Sequence, residues 1–191
     1  MLIPRPETEH VVETALLVAR GAARILDVGC GSGALAVTLQ LETGAEVWAT
    51  DISAAAVRVA AENSRRLGAA VHFVACDLMS PFVQGSFDLV VSNPPYVPLA
   101  DERGLQREVR EYEPHVALFA GPTGFEIYER LVTEAGRVLR SAGWMVLELG
   151  YQSHDRVRAM LGDSWQDVRD TADLAGIPRV LAAQLRANAA R

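Results

Sequence analysis

A glycine-rich turn set between an apolar strand and a helix constrains this chain more than any other feature. Arg24-Ile25-Leu26-Asp27-Val28 reads as a buried strand, Gly29-Cys30-Gly31-Ser32-Gly33 as the turn, and Ala34 to Thr43 as a helix. Glycines let a backbone turn tightly and approach a ligand closely. The alternation continues downstream. Glu46 to Thr50, Val71 to Ala75, Phe87 to Val91 and Trp144 to Leu149 read as further strands. Ala54 to Leu67, stopped by Gly68, reads as a helix, as do Phe125 to Arg140 and Ser153 to Leu161. A first helix runs from Pro6 towards Gly21, with apolar residues at Val11, Val12, Ala15, Leu16 and Ala19. Strands near Trp165–Asp170 and Arg179–Leu185 have only the turn Asp173-Leu174-Ala175-Gly176 between them, which predicts an antiparallel hairpin at a sheet edge. The whole pattern predicts an α/β fold: a mostly parallel seven-stranded sheet with helices on both faces and a C-terminal antiparallel hairpin.

Length and composition narrow the functional classes. With 191 residues the chain suits one domain with a real hydrophobic core. No apolar run is long enough to span a membrane. The two cysteines, Cys30 and Cys76, lack metal-site spacing, and a reducing cytoplasm suits them. No metal site is expected, and the four histidines have no ligand spacing. The net charge is −6, every basic residue is Arg, and Arg65-Arg66 is the one adjacent pair. Nucleic-acid binders usually show a basic stripe, so direct binding to nucleic acid is not expected.

The first loop points to a nucleotide-type cofactor. Gly29-x-Gly31-x-x-Ala34 satisfies the relaxed dinucleotide pattern, so the glycines alone leave NAD open, and a plain turn as well. Asp51 and Ile52 follow the second strand, where a carboxylate can accept from ribose hydroxyls. Asp51 could instead cap the next helix, though Ser53 is at least as good a cap. Asp77 and Leu78 follow the third strand. There a carboxylate can accept an adenine amino group while an apolar side chain packs on the ring; the alternative is an Asx turn before Ser80-Pro81. Asp27 tilts the choice: a carboxylate beside the glycines repels a pyrophosphate but suits a sulfonium with an amino-acid tail. The candidate cofactor set is thus Asp27, Gly29, Cys30, Gly31, Ser32, Gly33, Asp51, Ile52, Asp77 and Leu78, together with Asn93.

The second loop carries the candidate chemistry. Asn93-Pro94-Pro95-Tyr96 follows the fourth strand. Two prolines fix two φ angles, and the residue before a proline is pushed to extended geometry. The result is a stiff loop whose Asn93 side-chain oxygen and Pro94 carbonyl are both acceptors, with Tyr96 offering an aromatic face. That set matches a planar NH₂ group, whose delocalised lone pair makes it a poor nucleophile. Two acceptors can hold it and aim the lone pair, so the gain comes from positioning and from preset electrostatics. Asn93, Pro94 and Tyr96 are the candidate catalytic residues, and Asn93 to Tyr96 the candidate substrate-binding loop. A rigid turn without chemistry is the plain alternative.

This tetrapeptide also occurs in adenine-N6 and cytosine-N4 methyltransferases of nucleic acids and in glutamine methyltransferases of proteins. Nearly end to end, the chain resembles the peptide chain release factor glutamine-N5 methyltransferases. Leu2-Ile3-Pro4-Arg5-Pro6-Glu7-Thr8-Glu9 is similar to that family's signature, where ribosomal-protein glutamine methyltransferases usually have Pro-Arg-Ser-Pro. Glu113-Pro114-His115-Val116-Ala117-Leu118 with Gly121 and Gly124, and Asp173 to Gly176 with Arg179-Val180, are similar to its later segments. The resemblance implies a Rossmann-like class I methyltransferase that uses S-adenosyl-L-methionine. It implies as substrate a glutamine in the Gly-Gly-Gln loop of a release factor, with ribosomal-protein glutamine or nucleic-acid methylation as the alternatives. Family members often carry an aromatic residue where Leu78 stands. They also have a helical substrate-binding domain ahead of the signature. This chain begins at the signature, so a single methyltransferase domain over residues 1–191 is expected. The stretch Val97 to Thr123 is long for a loop and is expected to border the substrate groove. Leu105 to Tyr112 reads there as a short polar helix, and Glu108, Glu111 and Glu113 as suited to a basic partner or to solvent.

Overall fold

The computed structural model describes residues 7–104 and 114–187. The central strands of its main sheet are apolar on both faces, as strands covered on both sides require, while the edge strands are more exposed. The strands of this sheet are β1 (Arg24–Val28), β2 (Glu46–Asp51), β3 (Val71–Ala75), β4 (Phe87–Ser92), β7 (Leu139–Glu148), β8 (Trp165–Ala172) and β9 (Pro178–Leu185). The order across the sheet is β3-β2-β1-β4-β7-β9-β8. The pairs from β3 to β7 are parallel, and β9 runs antiparallel to both β7 and β8.

Alternate residues of each central strand enter different cores. Ile25, Leu89, Val91, Trp144 and Val146 meet α1 (Glu7–Val18), α2 (Ala34–Thr43) and α3 (Ala54–Leu67) through Val11, Ala15, Leu35, Leu39 and Ala60. Leu26, Val90, Met145 and Leu147 meet the other face. There Tyr128, Leu131, Val132, Ala135 and Val138 come from the helix Glu126–Val138, and Val157 from the helix His154–Ala159. The first of these helices has the stronger division between an apolar and a polar side, and its buried positions fall at helical spacing.

The expected seven strands, the two covered faces and the terminal hairpin are all present. The hairpin turn is held by Asp173, whose carboxylate accepts from the Ala175 and Ile177 amides and from Arg179 Nε at 2.8 Å. Several boundaries differ from expectation by one to three residues, and the largest change falls at one junction. The helix predicted to reach Arg140 ends at Val138, because Leu139 is already extended at φ −72°, ψ 145°. The fifth strand therefore starts at Leu139, and its pairing with β4 shifts register between Phe87 and Leu89.

The stretch after the second loop is more ordered than the sequence predicts. β5 (Val97–Pro98) pairs in parallel with β6 (Phe119–Gly121), outside the main sheet. A 3-10 helix over Leu99–Gly104 and a single turn, α4 (His115–Leu118), lie between them; α5 (Glu126–Val138) and α6 (His154–Ala159) follow. Two- and three-residue strands carry no readable periodicity, which is why they escape a sequence pattern. The predicted helix Leu105 to Tyr112 and the cluster Glu108, Glu111 and Glu113 lie outside the described residues. Among the described residues, no helix is long and apolar enough to cross a membrane.

Candidate functional site

β1 and β4 are parallel neighbours, with Val28 beside Ser92 in register, so the loops leaving them stand side by side. β1 leads to β2 on one side of the sheet and β4 lies on the other. A crevice at the carboxyl ends of the strands opens at such a switch point. A cavity of about 420 Å³ fills that place.

The glycine loop is held mainly by backbone. The Gly29 and Cys30 amides both donate to the Thr50 carbonyl at 2.8 Å, and the Gly31 amide donates to Asp51 Oδ2 at 2.9 Å. Asn63 on α3 donates through Nδ2 to the Ser32 carbonyl. Gly29 and Gly31 have φ of 74° and 54°, a region that costs a side chain roughly 1 kcal/mol or more. Both line the cavity, with Cys30 and Ser32. Gly33 does not line it. It packs instead against α3, where an added Cβ would sit 3.0 Å from that of Ala60.

Asp27 lies buried in the floor. Its Oδ2 accepts from the Ala36 amide at 3.1 Å, and its Oδ1 has no partner; buried Thr50 Oγ1 has none either. Burial pushes the Asp27 carboxyl up to about 7; the Ala36 N–H pulls the other way, and the neighbouring Asp51 charge adds to the rise. Burial also holds the Cys30 thiol far above its usual range, with Asp27 and Asp51 adding, so it is no nucleophile at neutral pH. Asp51 uses Oδ1 to accept from the Ser53 amide at 2.8 Å, and Ser53, not Asp51, caps α3 through Ala56.

Asp51, Ile52, Asp77 and Leu78 all line the cavity. Leu78 adopts φ 44°. Asp77 carries a partner that the sequence did not foresee: Arg130 of α5 donates to its Oδ2 at 2.8 Å. Both groups are about half exposed, so the pair shapes the wall more than it stabilises the fold. Arg130 lines the cavity too, with Ile127 of α5, Phe119 of β6 and Ala117 of α4. These come from segments far away in the chain, and no local spacing marks them.

The second loop meets the same cavity through Asn93 and Pro95. Pro94 is buried beneath it and is not among the lining residues. Tyr96 is braced from two sides. A Cβ on Gly150 would lie 2.7 Å from its ring, and one on Gly124 would lie 2.7 Å from its carbonyl oxygen. Behind it, the buried Tyr128 hydroxyl donates to the Glu148 carbonyl and accepts from the Gly150 amide. One further residue, Thr8 of α1, joins Asn93 to buried Glu148 at the end of β7.

This fold and this crevice are those of a nucleotide-cofactor α/β transferase, and the family model described as "Methyltransferase small domain" matches residues 10–108. A release factor glutamine methyltransferase of Koribacter versatilis (strain Ellin345) is 43% identical over 185 residues, 95% of this chain and 66% of that protein. One of Bordetella pertussis (strain Tohama I) is 43% identical over 185 residues, 94% of this chain and 68% of that one. A methyltransferase from Pyrococcus furiosus has the same fold, with a TM-score of 0.72 at 19% identity over 98% of this chain and 85% of its own. The chain belongs to the release factor glutamine methyltransferase family. It spans just under two thirds of the length of the Koribacter versatilis relative.

Proposed function

We propose that the chain is a single S-adenosylmethionine-dependent domain that methylates the side-chain amide nitrogen of a glutamine. One observation carries this reading. Asn93 and Pro95 of the stiff loop open on the same cavity as the glycine loop, Asp51 and Asp77.

The cavity's groups fit the donor. Buried Asp27 Oδ1 has no partner and suits an ammonium group. Asp51 suits the ribose hydroxyls, with Ile52 beside it, and Gly29, Cys30, Gly31 and Ser32 suit close backbone approach. Asp77 and Leu78 suit the adenine, with Ile127 and Phe119 adding apolar wall. When bound, S-adenosylmethionine supplies a methyl carbon on a sulfonium: the amide nitrogen's lone pair forms the new C–N bond, the C–S pair stays on sulfur, and a proton leaves the nitrogen for water. The chain's own part is to hold the amine. Asn93 Oδ1 and the Pro94 carbonyl accept from its two N–H groups, Tyr96 lies against the planar amide, and α5 and α4 keep water from the donor side. No strong base is required, because the alkylated nitrogen is acidic.

The relatives' names make a release factor the proposed substrate protein, with its Gly-Gly-Gln glutamine as the target. Labelled donor offered side by side to a release factor, a ribosomal protein and DNA tests this. Label is expected on the release factor; label on DNA alone overturns the reading. Asn93→Ala is expected to abolish transfer while the donor still binds by calorimetry, and near-normal turnover would remove Asn93 from the mechanism.

A further inference from the structure

We infer that Glu148 and Thr8 are positioning residues that fix which end of the Asn93 amide faces the substrate; this rests on the proposed role of Asn93. An asparagine amide presents an oxygen or an NH₂ group of nearly the same shape, and a half-turn exchanges them. Only the oxygen can accept from a substrate N–H. The wrong face would set two donors against each other.

The polarity of the bonds behind Asn93 removes that choice. Glu148 ends β7 with only 3% of its surface exposed. A carboxylate oxygen that carries no proton can only accept. Thr8 Oγ1 lies 2.8 Å from Glu148 Oε2, so its single proton is directed there. The Thr8 oxygen then has only lone pairs to offer, and the Asn93 atom 3.2 Å away must be the donor Nδ2. Asn93 Oδ1 is thereby placed on the opposite edge of the amide. The chain of bonds runs one way: amide NH₂ to hydroxyl, hydroxyl to carboxylate. Its members come from α1, β7 and the loop after β4, 140 and 85 residues apart, so it is a tertiary construction and not a local turn. It also gives Thr8, which lines the cavity, a role beyond forming its wall.

The test uses the 191-residue chain with Thr8→Val, Thr8→Ser and Glu148→Gln. Donor affinity by calorimetry is expected to stay within about twofold in Glu148→Gln, because Glu148 is not among the residues lining the cavity. Thr8 does line it, so its two variants are compared with each other in transfer measured at saturating donor. Single-turnover transfer to a release factor should fall about 10- to 100-fold in Thr8→Val, as misplacing an orienting group does. Thr8→Ser, which keeps the hydroxyl, should recover most of it. Glu148→Gln should fall as well, because a glutamine can offer its NH₂ to Thr8 and reverse the chain. The ¹⁵N side-chain signal of Asn93, identified by its loss in Asn93→Asp, should move in Thr8→Val and not in Thr8→Ser. Wild-type turnover in Thr8→Val, or a serine variant as slow as the valine one, overturns the role of Thr8. Wild-type turnover in Glu148→Gln overturns that of Glu148. Should the unaltered chain transfer nothing to a release factor, the glutamine reading alone fails; an Asn93 signal unmoved in Thr8→Val then still overturns the positioning role.

Discussion

The Ser92 hydroxyl donates to the Val28 carbonyl at 2.7 Å. Each of these residues is the last of its strand, one step before a loop of the cavity, so this buried bond stitches the glycine loop to the Asn93 loop. Ser92→Ala removes the donor and leaves a buried acceptor short of a partner. Its expected cost is about 1–3 kcal/mol of stability. A urea midpoint lowered at constant slope would show this, and an unchanged midpoint would show that the two loops are held by the ladder alone.

Asp27 makes donor binding and stability depend on pH in opposite senses. Its carboxyl is pushed up to about 7 in the fold, against 3.8 ordinarily. A cationic donor group favours the anion, so affinity should rise with pH by up to about tenfold per unit below 7 and then level off. For stability the sign reverses. Between 3.8 and 7 the folded chain holds this proton and the unfolded chain does not, so unfolding becomes easier as pH rises, by at most about 1.4 kcal/mol per unit. Calorimetry and urea titrations from pH 5 to 8 read both trends, and Asp27→Asn should flatten both.

Gly150 sets the place of Tyr96. Alanine there would bring its Cβ to 2.7 Å from the Tyr96 ring, and the ring must move. Gly150→Ala should therefore reduce transfer to a glutamine substrate about tenfold or more, with donor affinity retained, since Tyr96 is not among the residues lining the cavity. Parallel loss of donor binding would mean that the whole end of β7 had shifted instead.

His154, at the start of α6, has Asp155 Oδ1 2.8 Å from Nδ1 and Asp170 Oδ1 3.0 Å from Nε2. The hydrogen bond with Asp155 raises its pKa, partial burial opposes that, and Asp170 raises it further. The folded chain therefore favours the charged ring. That contribution is complete below the ordinary 6.5 and disappears as pH rises through the higher folded value. Thermal melts at pH 6 and 8.5 should differ less in His154→Ala than in the unaltered chain.

The sheet was legible because its central strands are apolar on both faces and many of its turns fall at glycines. Arg24–Val28, Ala34–Thr43, Ala54–Leu67 and Val71–Ala75 match their predicted bounds. The loops that line the cavity were legible for the same local reason: Gly29 and Gly31 turn where only glycine turns easily, and Asp51 and Asp77 lie at or just after strand ends. Arg130, Ile127, Phe119 and Thr8 were not. Each reaches the cavity from a distant element, and its side-chain type is one that many residues outside any site share. Asp77 shows the limit well. Its position at the end of β3 was readable, whereas its pairing with Arg130 depends on how α5 crosses the sheet.

The span of the Thr8–Glu148 bond bears on how the chain matures during synthesis. The glycine loop, Asp51, Asp77 and Asn93 all leave the ribosome within the first half of the chain. Glu148 and the strand that covers α1 through Val180 and Ala182 emerge later. A nascent chain therefore carries the glycine loop, Asp51, Asp77 and Asn93 of its cavity well before it can close α1 onto β7. A segment more than fifty residues downstream of Asn93, not the glycine loop, completes the site.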